Sequence, residues 1–316
     1  MRGFPLRRFG FTDPVSTRSC TRRSFLARTA GWSVAAILAG ARTGRLRATP
    51  LGGPVGIQLY AVKDELQAHP ATTLRTLREI GFGEVETAGF GALSAQQFRR
   101  LLDDAGLRCP SAHLQFEVGN LGAAFDQAHA LGAGCATSGS LRGALASAGV
   151  GTSPPQGGMS LDEARHTAEL ANRIGEQARR ADLQYVYHNH DFEFAEQADG
   201  AVGYDLLLRE TDPGLVRFEI DCGWMVVGGR DPRDYFGRYP GRFPMIHVKD
   251  FLPAAAHGVA HPGTELGHGM IDYGPIFAAA EKAGLKHYFA EQEGPFTRMT
   301  QIEAARQAYD YLRKLH

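Results

Sequence analysis

The sequence is poor in cysteine, and its cysteines form no recognisable motif. Cys20, Cys109, Cys135 and Cys222 include no CxxC pair, which excludes a zinc ribbon or a thioredoxin-type site. Cys20 lies in an N-terminal segment that we expect to be removed, and the odd number that remains argues against a disulfide framework. We therefore expect buried free thiols, the usual state of cysteine outside such frameworks.

Neither sign of charge is in excess. Lys and Arg together number 34, as do Asp and Glu, so the basic surplus of a duplex-binding protein is missing and no nucleic-acid partner is expected. The first predicted strand is not followed by a GxGxxG motif, which weakens a dinucleotide-binding interpretation. Hydrophobic residues make up 43% of the chain, enough for a sizeable core. The 12 histidines point toward metal or proton chemistry.

The first 48 residues predict a targeting segment and short linker. Arg22 and Arg23 precede Ser-Phe-Leu and an apolar run of about 11 residues, too short to span a bilayer as a helix. This order closely resembles a bacterial twin-arginine signal, which implies export of an already folded protein. We expect cleavage after Ala41 or near Ala48, a periplasmic or secreted protein and no stable membrane anchor. A basic arm with an amphipathic helix is the alternative.

From residue 55 onward, strand-like apolar runs alternate with segments of helical period. Strands are predicted at residues 55–60, 83–87, 107–114, 133–138, 183–188, 215–220, 243–248 and 286–291. Helices are predicted at residues 70–80, 94–105, 121–131, 161–181, 204–210, 232–238, 273–283 and 300–315, with a long loop at 139–159. This alternation predicts an α/β fold, a (β/α)8 TIM barrel over residues 49–316. A doubly wound open sheet is the alternative.

Polar side chains follow most of these predicted strands, at the end of the barrel where such enzymes carry their chemistry. Asp221, His247 and Glu291 end three consecutive strands and would therefore converge at the barrel mouth. Burying these groups without a cation would be costly, and mixed oxygen and nitrogen ligands suit Mn²⁺, Co²⁺, Zn²⁺ or Mg²⁺. The residues therefore predict a divalent metal site, with Mn²⁺ as the first choice.

At these residues the sequence resembles the xylose isomerase-like TIM barrels, the sugar phosphate isomerase/epimerase superfamily. The resemblance covers nearly all of residues 55–316 and is carried by the segments 56–60, 188–194, 220–224, 247–250, 265–269 and 291–293. It implies a metal held by four residues from strands five to eight, and Asp221, His247 and Glu291 match the last three. The fourth is usually a glutamate that ends strand five, and here His188 or Glu193 would take its place.

The resemblance also implies a chemistry. Sugar epimerases of this superfamily use two metal-bound glutamates on opposite faces of the substrate, and Glu291 matches one of them. If His188 replaces the other, an imidazole completes the acid/base pair. We therefore expect a metal-dependent sugar isomerase or epimerase that abstracts a proton next to a carbonyl. One alternative is a lyase or dehydratase of a 3-keto-glycoside or inosose, and another is a non-catalytic sugar-binding barrel.

Several other residues are candidates for contact with a carbohydrate substrate, namely His113, His190, Trp224 and His268. Lys249 would steady a developing oxyanion as a catalytic group, or form a salt bridge with Asp250 or Glu219. The Gly267-His268-Gly269 turn would let the backbone approach the substrate, or be a turn without a ligand. The sequence leaves the oligomeric state open.

Two further enzyme classes are disfavoured. An endonuclease-type phosphodiesterase shares this barrel and uses a multi-metal cluster, but the balanced charge, the export signal and the lack of extra His and Glu ligands argue against it. A hydrolase of phosphorylated sugars would need a glycine-rich phosphate loop or an arginine cluster after strands seven and eight, and the sequence has neither there.

Overall fold

The computed structural model describes residues 49–152, 158–256 and 260–315, so the predicted targeting segment lies outside the described residues and its export stays a prediction. In the described part of the chain, eight parallel strands close into a barrel. They are β1 (Gly56–Gln58), β2 (Glu84–Thr87), β3 (Arg108–His113), β4 (Cys135–Ser138), β5 (Gln184–His188), β6 (Val216–Asp221), β7 (Met245–Val248) and β10 (His287–Ala290). Strand β10 pairs with both β1 and β7, which closes the barrel and excludes the open sheet.

Helices cover the outside of the barrel. Among the described residues they are α1 (Lys63–Ala68), α2 (Pro70–Ile80), α3 (Ala95–Ala105), α4 (Leu121–Leu131), α5 (Arg142–Ser147), α6 (Leu161–Arg180), α7 (Gly203–Glu210), α8 (Cys222–Val227), α9 (Pro232–Arg238), α10 (Tyr273–Lys282) and α11 (Gln301–Leu312). All eight predicted strands and all eight predicted helices are confirmed, with ends that differ by a few residues. The sequence analysis missed the three short helices α1, α5 and α8, and α5 interrupts the predicted long loop.

The longest helix packs closely on its neighbours because its inner face is made of small residues. Ala164, Ala168, Ala171 and Ala178 are buried along α6 at helical spacing. A Cβ on Gly175 would come within 2.7 Å of the Leu215 carbonyl oxygen, so only glycine permits this approach to the segment that precedes β6. Ser160 caps the helix by accepting a hydrogen bond from the Glu163 N–H, which fixes where it begins.

The inside of the barrel holds a small core of its own. Val186, Met245 and Phe289, each fully buried, pack together apart from the main hydrophobic core. Side chains alternate between the two faces of a strand, so the residue two positions further on points into the same interior, nearer the carboxyl ends of the strands. Those residues are His188, His247 and Glu291. The alternation therefore places three predicted site residues directly above an apolar floor.

A buried aspartate anchors the loop that precedes α10. Strands β8 (Asp250–Phe251) and β9 (Gly263–Thr264) form a two-stranded antiparallel sheet after β7. The Asp250 carboxylate accepts hydrogen bonds from the backbone N–H groups of Gly267 (3.1 Å), Gly269 (2.9 Å) and Ile271 (3.2 Å). A Cβ on Gly269 would lie 2.1 Å from Asp250 Oδ1, so the close approach requires glycine. The Gly-His-Gly backbone thus binds a carboxylate of this chain.

Two smaller expectations concern thiols and membranes. Cys109, Cys135 and Cys222 are free, with Cys109 and Cys222 buried and Cys135 partly buried, which confirms the expectation of unpaired cysteines. Within the described ranges, no helix is both long enough and apolar enough to cross a bilayer.

We predict that Asp250→Ala lowers the free energy of unfolding by about 2–4 kcal/mol, because it leaves four backbone N–H groups, that of Phe251 and three in the loop, without their acceptor. Urea denaturation followed by circular dichroism measures the loss. Asp272→Ala is the matched control, because Asp272 is exposed and caps α10, and it should cost about 1 kcal/mol. Equal losses in the two variants would show that the Asp250 contacts do not anchor the loop.

Candidate active site at the barrel mouth

A pocket of about 270 Å³ opens at the carboxyl ends of the barrel strands. Its lining combines three imidazoles with two carboxylates, and the full lining is Gln58, Tyr60, Ala88, His113, Gly139, His188, His190, Glu291 and Glu293. Four of the predicted site residues, His113, His188, His190 and Glu291, lie on its wall. In barrels of this architecture the chemistry belongs at this end, so this pocket is the candidate active site.

The three predicted metal ligands lie together. One ligand atom each from Asp221, His247 and Glu291 falls within 4.8 Å of the others, and all three side chains are buried. Glu291 Oε2 is 3.1 Å from His247 Nδ1, and Asp221 Oδ2 is 3.9 Å from the same nitrogen. Among the described residues, Asp221 Oδ2 finds no hydrogen-bond partner of suitable geometry although it is buried. The fold therefore assembles a mixed oxygen and nitrogen donor set that can hold a metal ion.

Lys249 pairs with the two carboxylates of the predicted metal site, which corrects the salt bridge expected with Asp250 or Glu219. Its Nζ is 2.7 Å from Glu291 Oε2, 3.1 Å from Asp221 Oδ2 and 2.5 Å from Glu293 Oε1. Lys249 follows His247 by two positions and shares its inward face, whereas Asp250 points outward to the α10 loop. Burial acts to lower the pKa of Lys249, but the charges of Asp221 and Glu291 outweigh it and hold the pKa above its usual range.

A second group of ligand-type side chains lies beside the first. His113, His188, Glu219 and His247 also bring one ligand atom each within 4.8 Å of one another. Glu219 Oε2 contacts all three imidazoles, at 3.1 Å from His113 Nε2, 3.1 Å from His188 Nδ1 and 3.2 Å from His247 Nε2. The expectation that no extra His and Glu ligands converge here was therefore wrong, because residues from β3, β5 and β6 meet above the same floor.

Glu86 completes this second group from the opposite side of the barrel. Its Oε2 lies 2.7 Å from His247 Nε2 and 3.2 Å from His113 Nε2, and it accepts a hydrogen bond of 2.8 Å from Gln58 Nε2. Ser111 donates a short hydrogen bond to the other carboxylate oxygen. The charged partners of Glu86 are thus histidines from other strands of the barrel, and Glu86 helps to fix the orientation of His247.

The buried carboxylates of the mouth outnumber its cations. Burial opposes ionisation of Glu219, but nearby imidazoles hold its pKa at about 2, and His113 and His247 likewise keep the pKa of Glu86 below its usual range. Burial would lower the pKa of His113, yet Glu86 and Glu219 raise it to about 10. Four buried carboxylates, Glu86, Glu219, Asp221 and Glu291, thus share three cationic partners, His113, His247 and Lys249, and Lys249 also pairs with Glu293.

The four carboxylates have only three cationic partners, and the effect falls on the pKa of Asp221. Burial raises its pKa, and the neighbouring charge of Glu291 adds to this although Lys249 opposes it. By contrast, Lys249 and His247 overcome the burial of Glu291 and keep the pKa of Glu291 below its usual range. An added cation at Asp221 and Glu291 would remove the excess negative charge, so the residues present fit a divalent ion.

Strand β5 directs His188 and Glu193 to different places. His188 ends the strand and belongs to the second ligand group. Glu193 is fully buried in a 3-10 turn, where it accepts hydrogen bonds from Tyr187 Oη (2.9 Å) and the His190 N–H (2.9 Å). Burial raises the pKa of Glu193 to about 8. Of the two alternatives for the fourth ligand, only His188 lies among the clustered donor atoms of the described residues.

The remaining predicted contacts divide into those at the pocket and those away from it. His190 lines the pocket, its Nδ1 has no hydrogen-bond partner among the described residues, and burial together with the charge of Lys249 lowers its pKa to about 4. Trp224 packs on Phe251, with ring centroids 4.7 Å apart, and lies under Lys249 Nζ at 4.9 Å. His268 is exposed on the loop that Asp250 anchors, and it is not part of the pocket lining.

The comparisons place the chain among known barrels. The chain belongs to the xylose isomerase-like TIM barrel family, whose model matches residues 74–315. It is 31% identical over 167 residues to an inosose dehydratase of Lacticaseibacillus casei, an alignment that covers 48% of this chain and 54% of that one. The chain thus spans about half the length of the curated relatives it matches.

Solved structures share the fold over most of the chain. A sugar phosphate isomerase/epimerase of Parabacteroides distasonis is 27% identical, with a TM-score of 0.65, over 82% of this chain and 93% of that one. A xylose isomerase-like barrel of Mycobacterium smegmatis in complex with magnesium is 18% identical, with a TM-score of 0.61, over 85% of this chain and 98% of that one. At that identity the second likeness concerns the fold alone.

We predict that Glu86→Gln destabilises metal-free protein by about 3 kcal/mol, because His113 and His247 lose a buried partner. Glu84→Gln is the matched control. Glu84 lies two residues earlier on β2 and is also buried, but its partners Arg108 and His287 are 70% and 29% exposed, so water can replace them and the loss should be about 1 kcal/mol. Urea unfolding with EDTA present compares the two, and a loss for Glu86→Gln no greater than the control would contradict the role assigned to Glu86.

Proposed function

We propose that this protein is a metal-dependent dehydratase of a polyhydroxy ketone ring, such as a keto-cyclitol or a keto-sugar. In the proposed reaction, a proton is removed from the carbon next to the carbonyl, the electron pair forms a carbon–carbon double bond, and the hydroxyl on the next carbon leaves as water. The likeness to inosose dehydratases supports the substrate class. The small, polar pocket, with room for one hydroxylated ring, is consistent with it.

The observation that carries the proposal is the placement of Glu193. The sugar epimerases that this chain resembles use a carboxylate on each face of the substrate, whereas here Glu193 is buried and bonded to Tyr187 and the His190 backbone. Strand β5 presents the imidazole of His188 to the pocket in its place. A single carboxylate suits an elimination in which the group that takes the carbon-bound proton passes it to the leaving hydroxyl, and the imidazole is then left as a candidate ligand.

Asp221, His247 and Glu291 would hold the divalent ion, with His188 as the fourth candidate ligand. Their donor atoms converge, the buried Asp221 Oδ2 lacks a hydrogen-bond partner of suitable geometry among the described residues, and the mouth carries one carboxylate in excess of its cations. When bound there, such an ion would polarise the substrate carbonyl and stabilise the negative charge that develops on its oxygen. Mn²⁺ is our first choice, with Co²⁺, Zn²⁺ and Mg²⁺ as alternatives.

The side chains of the site then have distinct roles. Glu291 keeps its carboxylate ionised and would accept the carbon-bound proton. Burial and the charge of His247 lower the pKa of His188, so its imidazole is neutral. When His188 Nδ1–H faces Glu219, at 3.1 Å, Nε2 is left with a free lone pair that it would offer to the ion. The proton that Glu291 accepts from carbon would then pass to the hydroxyl on the next carbon, which leaves as water. Lys249, which contacts Glu291 and Asp221, supplies positive charge beside the developing oxyanion.

An isomerase or epimerase is the second candidate, and the likeness over nearly the whole chain to a sugar phosphate isomerase/epimerase favours it. The first proton transfer is the same in both reactions, and the two differ in whether a leaving group departs before the proton returns. Neutral imidazoles at His188 and His190 would be the second acid/base groups in that case. The reaction in D₂O separates the candidates.

We predict that full-length protein with Mn²⁺ converts inosose or a 3-keto-sugar in D₂O to a dehydrated product, measured by NMR and mass spectrometry. Glu291→Gln should lower kcat by about 10³-fold or more, because it removes the base. Glu84→Gln, a glutamate substitution outside the pocket, should retain activity. Deuterium incorporation without loss of water would favour the epimerase, and ligand binding without exchange or turnover would favour a non-catalytic sugar-binding barrel.

We also predict that Mn²⁺ stabilises the wild-type protein, because an ion that binds the folded state adds about 2.7 kcal/mol at 100 times its Kd. Differential scanning fluorimetry with and without Mn²⁺ after EDTA treatment gives the shift in Tm. Asp221→Asn should abolish most of the shift, whereas Asp272→Asn, on the exposed cap of α10, should retain it. A shift of equal size in both variants would place the ion elsewhere.

A further inference from the structure

A second cavity of about 540 Å³ adjoins the candidate active site. It is formed by the segments that follow β1 and β2, at the same end of the barrel as the smaller pocket. Tyr60 and Ala88 line both cavities, so they form a shared wall. The two cavities therefore meet at these two residues.

The two cavities differ in chemistry. Whereas imidazoles and carboxylates surround the first, apolar side chains dominate the second, together with Lys63 and Gln67 at its edge. The apolar lining residues are Leu59, Tyr60, Leu66, Pro70, Phe90, Leu93 and Phe98. Tyr60 is 38% exposed, a high value for a large apolar side chain that does not complete the core. The combined space is polar at the end with the metal ligands and apolar at the other.

Two glycines with positive φ determine the path of the segment after β2, which forms one wall of this cavity. Gly89 and Gly91 have φ of +92° and +61°, and glycine adopts such angles without the strain that a side chain brings. They flank Phe90, which packs near Phe98 with ring centroids 6.3 Å apart and is part of the cavity wall. On the facing segment, Lys63 Nζ donates to Tyr60 Oη at 2.9 Å and lies 4.1 Å from the centre of the Tyr60 ring.

We propose that this second cavity is a substrate subsite for an apolar, ring-sized substituent on the polyhydroxy ring. The substrate would then be a glycoside or similar conjugate, with its polyol over the metal ligands and its apolar aglycone between the segments after β1 and β2. This rests on the proposed function for the position of the polyol. The pocket of about 270 Å³ is small for both parts of such a molecule, whereas the two cavities together reach the volumes typical of small-molecule sites.

The test measures binding without turnover, so that it is independent of catalysis. Phenyl β-D-glucopyranoside and methyl β-D-glucopyranoside have no carbonyl for proton abstraction and differ only in the aglycone. Calorimetric titration of each into full-length protein with Mn²⁺ gives their Kd values. We expect about tenfold tighter binding of the phenyl glycoside, since burying a phenyl group removes on the order of 100 Å² of apolar surface from water.

Two variants act on the cavity in opposite ways. Ala92→Trp introduces a large ring at an exposed position of the cavity lining and should fill the space, and Phe90→Ala removes part of its apolar wall. Both should reduce the preference for the phenyl glycoside to about twofold or less while the affinity for the methyl glycoside is retained. Leu252→Ala, a change to another exposed apolar residue outside this lining, is the matched control and should keep the full preference.

The outcomes separate this inference from the proposed function. Tighter binding of the phenyl glycoside that Ala92→Trp abolishes supports the subsite, whether or not any substrate is turned over. Equal affinities of wild-type protein for the two glycosides, including no measurable binding of either, would overturn it. A preference that survives Ala92→Trp, in a variant whose circular dichroism matches the wild type, would also overturn it. Binding with this preference but without turnover of any keto-sugar would reject the dehydratase and keep the subsite.

Discussion

Four buried carboxylates and the cations that surround them impose the main constraint on this molecule. Glu86, Glu219, Asp221 and Glu291 come from three strands or strand ends, β2, β6 and the end of β10, and each is nearly inaccessible to solvent. In a medium of low polarity such groups stay ionised only if positive charge lies within a few ångströms. His113, His247 and Lys249 supply most of it, so their positions are fixed by charge as well as by packing.

Strand geometry satisfies this constraint at little conformational cost. Because side chains alternate along a strand, His247 and Lys249 share the inward face of the chain at the end of β7, while Asp250 lies on the other face. The same rule puts His188, His247 and Glu291 one layer above Val186, Met245 and Phe289. The apolar floor keeps water out from below, and this strengthens every electrostatic interaction above it.

Much of this could be predicted from the sequence, and the failures have physical causes. The alternation of strand-like and helical patterns predicted the barrel. The positions of Asp221, His247 and Glu291 at strand ends predicted that they converge, since parallel strands end at the same rim. The helices α1, α5 and α8 have only 6 residues each, too few for a periodic signal. Glu86 and Glu219 were missed as site residues because only the closure of the barrel brings β2 opposite β6 and β7.

The ion-pair partners of Lys249 also could not be predicted from the sequence. Proximity along the chain favours Asp250, but the pleat of the strand separates adjacent side chains, and the true partners come from β6 and from the end of β10. The choice between His188 and Glu193 likewise depends on a 3-10 turn that buries Glu193 against Tyr187. A turn of three residues is too short to produce a periodic pattern of apolar residues in the sequence.

Asp221 has a second role that limits how it can act at the mouth. Its Oδ1 accepts the Trp224 N–H at 2.9 Å and thereby caps the first turn of α8. This hydrogen bond restricts rotation of the carboxylate, so the start of α8 sets where Oδ2 lies relative to Lys249 Nζ, 3.1 Å away. A helix start and the ion pairs of the barrel mouth thus depend on one side chain, and a substitution of Asp221 would disturb both.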